Sequence, residues 1–311
     1  MNAKRTCASL LVLAVLLGAT YADNKQQKSS APMIFAKRAP YDYSFNLVDA
    51  YFTTRLIEKD DAIIARRDDK LVVLKYKIIN NQPHGLNMGP RAANLTLVKG
   101  KGRYAAGLSP MWFEKNDREV RPGEGVESTV AIEVPADLED PELLVQLSGG
   151  SEFKYDLEGQ IRPMQGKFAG PGGKTASNEC KVAVGESAEF GSFDIKVLGS
   201  QDIPDSPDYS LDLQPGEHLV GVTVELKNIC MHDTLISQAS FYPEFPQDQH
   251  AVSYIRWLVT PGKLRDNAEA TLKPKGTFKG ILLFRVAAGQ RIGTIKLRDT
   301  SVSERTVVVS L

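Results

Sequence analysis

Two stretches of the chain alternate apolar and polar residues with the period of a strand. At 71–81, Val72, Leu74, Tyr76 and Ile78 share a face, followed in phase by Asn80, while Val73, Lys75, Lys77 and Ile79 share the other. At 219–229, Val220, Val222, Val224 and Leu226 share a face, again followed by Asn228, opposite Gly221, Thr223, Glu225 and Lys227. One apolar and one mixed face predict an antiparallel sheet that packs on a core from one side. A helix would need apolar residues at i, i+3 and i+4, and Val, Ile, Tyr and Thr favour strands as well.

The two stretches are spaced as a repeat. Leu71 lies 148 positions before Leu219 and Asn80 the same distance before Asn228; the same offset carries Ser44, Phe45, Asn46 and Leu47 onto Ser192, Phe193, Asp194 and Ile195. Downstream, Arg121-Pro122 corresponds to Lys273-Pro274 and the strand at 126–134 to that at 278–286, now 152 positions apart. Three blocks in one order predict an internal duplication.

Around these blocks, strands are expected near 43–53, 61–65, 70–79, 93–98, 126–134, 142–148 and 152–157, with turn chemistry at Asn80-Asn81-Gln82-Pro83, Lys99-Gly100-Lys101-Gly102 and Arg121-Pro122-Gly123. The final segment, 305–311, reads as a strand paired within its sheet. The expected class is all-β: two tandem β-sandwich domains, 41–163 and 179–311, joined by a Gly, Ser and Ala-rich linker at 164–178.

The first 22 residues have the order of a secretory signal: Lys4 and Arg5, an apolar run from about Cys7 to Ala19, then Thr20 and Ala22 at −3 and −1 of a cut before Asp23. That run is short of the roughly 20 apolar residues a bilayer span needs. No membrane span is expected after cleavage, and the chain is placed as secreted or periplasmic. Residues 23–40 are polar and punctuated by proline, a linker or short arm in which Met33, Ile34 and Phe35 can pack. Charge is balanced, 38 basic against 38 acidic, which removes any global electrostatic reason to bind nucleic acid.

Candidate chemistry is sparse. Cys180 and Cys230 remain after export and are expected to form a disulfide. Closing a loop of about 50 residues would stabilise by roughly 4 kcal/mol on the chain-entropy model. Cys230 and His232 form a Cys-x-His pair, yet the four spaced ligands of a zinc site are missing, and no metal or other cofactor is expected. The acidic groups Asp137, Glu139, Asp140, Glu142 and Asp202, Asp205, Asp208 lack the spacing and glycine of a calcium loop and read as solvated turns. Gly170-Pro171-Gly172-Gly173-Lys174-Thr175 fails as a phosphate loop because Phe168 stands where the first glycine must be. No Gly-x-Ser-x-Gly elbow occurs, so no catalytic residue is assigned. Trp112 and Trp257, in the long middle segments, are core residues by default and the expected binding surface if exposed.

Val222-Thr223-Val224-Glu225-Leu226-Lys227-Asn228, and more loosely Leu74 to Asn80, resembles the Val-x-Val-x-x-Lys-Asn signature of secreted bacterial immunoglobulin-like domains of unknown function. Those families place a Pro-Gly turn before the next core strand. Arg121-Pro122-Gly123 fits, whereas Lys273-Pro274-Lys275 keeps the proline and loses the glycine. The resemblance implies that both tandem domains are immunoglobulin-like β-sandwiches with an extracytoplasmic home, and it carries over no catalytic residue. The function expected is non-catalytic binding of a cell-envelope or extracellular protein or glycan. The alternative is an exported hydrolase with carboxylate catalysis in the interdomain cleft.

Overall fold

The computed structural model describes residues 34–35, 43–58, 61–88, 93–105, 118–147, 152–204, 213–236, 241–244, 252–258 and 270–311. The leader and Trp112 lie outside them. Among the described residues there are strands and one 3-10 turn, Pro171–Gly173, and no α-helix.

The front half runs β1 (Ile34–Phe35), β2 (Tyr43–Thr53), β3 (Arg55–Glu58), β4 (Asp61–Ile64), β5 (Asp69–Asn80), β6 (Leu86–Met88), β7 (Ala93–Lys99), β8 (Gly102–Ala105), β9 (Arg118–Val120), β10 (Gly125–Pro135), β11 (Glu142–Leu147) and β12 (Glu152–Asp156). One sheet is ordered β1-β2-β5-β10 and another β12-β11-β7-β8. Phe45, Val72, Leu74, Val130 and Ile132 from the first meet Leu95, Leu97, Leu143 and Val145 from the second in one buried cluster. Two sheets closing on a shared apolar layer make a β-sandwich.

The back half runs β13 (Glu179–Ala183), β14 (Ser187–Phe190), β15 (Phe193–Ile203), β16 (His218–Asn228), β17 (Thr234–Ile236), β18 (Phe241–Glu244), β19 (Val252–Leu258), β20 (Ala270–Leu272), β21 (Thr277–Val286), β22 (Thr294–Asp299) and β23 (Thr306–Ser310). Its sheets are β14-β15-β16-β21-β19 and β13-β23-β22-β18, and they close on Ile195, Val222, Val224, Leu282 and Phe284 against Ile295, Leu297, Val307 and Val309. The C-terminal strand is interior to its sheet, parallel to β13 and antiparallel to β22.

The central strands β5 and β16 lie where the alternation puts them, with Val72, Leu74, Tyr76, Val222, Val224 and Leu226 buried. Packing from one side only describes just part of their length. Leu71 and Val73, on the second face of β5, are buried under Leu56, Ala65 and Ala131, brought by the β3–β4 hairpin and β10. Leu219 of β16 is likewise covered, with Leu283 and the partly buried Ile203, Leu213 and Ile281.

Pairings recur between the halves. β6 pairs with β9 as β17 pairs with β20, and β5 with β10 as β16 with β21: Val126 faces Ile78 and Phe278 faces Leu226. The Ser-Phe block is shifted from its sequence match. Tyr43 faces Asn80 and Phe193 faces Asn228, so the strand before the central one corresponds at 150 positions, not 148. Both ladders shift register at matching points, Leu47/Asp49 and Val197/Gly199. A slip of two is one full pleat and leaves every side chain on the face it was assigned.

Candidate functional site

Each central strand ends on a fully buried asparagine. Asn80 Nδ2 donates to the carbonyls of His84 and Val120, both at 2.9 Å, and its Oδ1 accepts the amide of Gln82 at 2.8 Å. Asn228 Nδ2 donates to His232 O at 2.9 Å and Leu272 O at 3.0 Å, and its Oδ1 accepts the amide of Cys230 at 2.9 Å. These anchors tie the strand end to the loop after it and to β9 or β20. The role is structural, as a strand-ending Asn that mimics a backbone turn would have it.

The expected Cys180–Cys230 disulfide is not formed: both thiols are free and buried. Cys180 lies on β13, which joins β23 in one sheet, while Cys230 follows β16 of the opposite sheet. Cys230 Sγ instead lies 3.9 Å from the carbonyl of Ser192. Burial, reinforced by nearby Glu189, pushes the Cys180 thiol up to about 12. Such a thiol is inert at neutral pH. Trp257 sits on edge strand β19, opposite Leu282 of β21.

Where the halves meet, polar side chains converge. Arg305, at the entrance to β23, is only 2% exposed. Its Nη1 donates to Ala65 O at 2.6 Å, its Nη2 to Asp69 O, and its Nε to Ser177 O at 3.3 Å. Its guanidinium carbon stands 5.8 Å from the centre of the Phe168 ring. Burial lowers its proton affinity, opposed chiefly by Glu189. Arg55 Nη1 donates to Phe193 O at 3.0 Å and Nη2 to Asp194 Oδ1 at 2.5 Å, while the Thr54 hydroxyl donates to Glu189. Asp68 and Asn178 bond each other reciprocally.

The segment between the halves is packed rather than loose. Met164 belongs to the front core and Phe168 to the back core, while Ala176 N donates to Ala136 O at 3.0 Å. Lys70, fully buried, donates its ammonium to Lys174 O and stands 4.1 Å from the Phe52 ring centre. Burial lowers it to about 8, partly offset by Glu139, Asp137 and Asp140. Sequence reasoning missed both cations. Each merely flanks an apolar run, and only the tertiary arrangement buries it.

Two spaces lie among these groups. The seam, lined by Thr54, Arg55, Phe168, Glu189, Ser303 and Arg305 among others, has about 10 Å³, room for one water. A larger, open and polar recess of about 450 Å³ is lined by Lys99, Asp140, Glu142, Lys154, Asp156 and Glu158 with Val98 and Gly100. Glu142 and Asp156 face each other directly across β11 and β12, with Lys154 3.4 Å from Glu142. The Lys174 ammonium, bonded at 2.8 Å, holds Asp140 below the usual carboxylate range. Among the described residues, no three His, Cys, Asp or Glu side chains form a group that could hold a metal ion. Nor is any helix long and apolar enough to cross a membrane, which says nothing of strands.

No protein-family model matches the chain, and no curated protein matches it. Among solved structures it is similar to an uncharacterised β-sandwich protein from Clostridium difficile, at 12% identity over 41% of this chain and 90% of that one, with a TM-score of 0.30. It is also similar to a putative lipoprotein from Staphylococcus aureus, at 11% identity over 43% of this chain and 99% of that one, with a TM-score of 0.26.

Proposed function

We propose that the chain is a non-catalytic extracytoplasmic binding protein, exported on residues 1–22 and built from two copies of one immunoglobulin-like sandwich, 41–163 and 179–311. The matched Asn80 and Asn228 anchors carry this reading, since each holds the same three kinds of backbone partner at corresponding positions. Shared strand spacing alone would leave such polar detail free to differ. A frame kept twice, with loops that differ between copies, suits a scaffold whose loops and edges do the binding.

The contact surface is assigned to the segments carrying Trp112 and Trp257, with a cell-envelope or extracellular protein or glycan as partner. The seam bears against the hydrolase alternative. A carboxylate pair working between the halves needs a cleft, but among the described residues the seam space of about 10 Å³ admits no substrate and Glu189 is already bonded by Thr54.

The test is to expose the immobilised mature protein to arrays of envelope glycans and surface-protein peptides. Binding without turnover is expected, weakened roughly tenfold or more by Trp257→Ala if that ring is an anchor. Release of cleaved sugar or peptide would replace this reading with the hydrolase. N-terminal sequencing of exported protein should begin at Asp23; recovery of Met1 would remove the leader.

A further inference from the structure

We infer that Arg305 is an orientation lock that holds the two sandwiches as one rigid body, so that their loops meet a partner at a fixed spacing. This rests on the two-copy reading above. One guanidinium, carried at the entrance to β23, contacts two other parts of the chain: Ala65 and Asp69 of the front half, and Ser177 and Phe168 of the connecting segment. Its partners in those hydrogen bonds are main-chain carbonyls, which move only if the backbone moves.

The physical argument concerns uniqueness more than adhesion. A buried cation stripped of its partners costs several kcal/mol, so ionic contacts in an interior select one arrangement better than they add stability. A rotated or slid packing that kept Arg305 covered would strand its charge. Apolar contacts alone, such as those of Phe168, tolerate such slippage because they are non-directional. Arginine suits the role because its planar fork fixes several acceptors at once, whereas a lysine ammonium is a point charge on a flexible stem. Arg55, with Phe193 O and Asp194, and the Asp68–Asn178 pair add directional contacts at the same seam.

The experiment uses the full chain with spin labels at Val48→Cys and Val184→Cys, exposed positions in the front and back halves. Cys180 and Cys230 are buried and should stay unlabelled, and Cys7 is removed by Cys7→Ser. Pulsed electron resonance should give a single narrow distance in the otherwise native protein. Arg305→Met, which keeps volume and removes the fork, should broaden it roughly twofold or more, and the carbonyls of Ala65, Asp69 and Ser177, left without their donor, should also lower the melting temperature. Arg305→Lys should also broaden it. Distributions as narrow as native in both variants would overturn the lock, as would a broad one in the native protein. Should Arg305→Met fail to fold, Arg305→Lys decides alone: a broadened distribution supports the lock and one as narrow as native overturns it. Amide exchange on the same samples tests the two-copy reading separately: slow amides on both β5 and β16 support it, and a single protected core overturns it.

Discussion

A type II turn needs positive φ at its third residue, which is why glycine is favoured there. Gly123 in Arg121-Pro122-Gly123-Glu124 has φ 78°, and its counterpart Lys275 in Lys273-Pro274-Lys275-Gly276 has φ 61°. The turn is built the same way in both, since Glu124 N bonds Arg121 O and Gly276 N bonds Lys273 O. The back half keeps the turn and carries the strain of an L-residue in the left-handed region, about 1–2 kcal/mol. Lys275→Gly should therefore stabilise by about 0.5–1 kcal/mol after the entropy of the freer unfolded chain is counted. Gly123→Lys should cost about 1 kcal/mol. Urea unfolding of both variants checks the pair. The asparagine anchors predict a larger effect: Asn80→Ala and Asn228→Ala should each cost about 3 kcal/mol, because buried carbonyls lose their donor. The larger loss is expected at Asn228, which also donates to Lys273 O and accepts the Thr234 hydroxyl, both at 3.2 Å.

At the scale of elements, the sequence was most legible where the alternation was strict. The central strands β5 and β16 and their pairing partners β10 and β21 lie where the period of 2 puts them. The Ser-Phe match aligns β2 with β15 at 148 positions, whereas the ladders set Tyr43 and Phe193 opposite Asn80 and Asn228, 150 apart, a register that only the pairing reveals. The β3–β4 hairpin was only half seen, through 61–65, and so the second buried face of β5 escaped notice. Nothing local in Leu71 or Val73 announces a cover that arrives from another element. The cysteine pairing failed for the same reason: β13 crosses to the other sheet, a choice of partner that residue spacing does not encode. The trapped thiols give a direct check. Ellman's reagent should find neither Cys180 nor Cys230 in the native mature protein and both in denaturant; an absence of thiols in denaturant would restore the disulfide. Leu56→Ala, in the hairpin, should cost about 2–4 kcal/mol if that cover is as well packed as its 4% exposure implies.

For the whole molecule, three buried groups set an alkaline stability profile, and their signs differ. Lys70 falls from 10.5 to about 8 in the fold, so between those values the unfolded chain holds a proton that the native state lacks, and stability rises with pH. Cys180 rises from 9.0 to about 12, and Tyr76 from 10.0 to about 12, both chiefly by burial, with the Ser128 hydrogen bond opposing at Tyr76. For these two the native state keeps a proton that the unfolded chain releases, and stability falls above pH 9.0 and above pH 10.0 respectively. Each proton carries a slope of about 1.4 kcal/mol per pH unit where its two states differ fully. The melting temperature should therefore climb from pH 8 to 9. It should flatten as Lys70 and Cys180 cancel, then drop steeply once Tyr76 joins and the Lys70 contribution ends near 10.5. Lys70→Met should abolish the climb, and Cys180→Ala should extend it toward pH 10. A climb that survives Lys70→Met would show that this ammonium is not the group stripped of water by the front core and the Lys174 carbonyl.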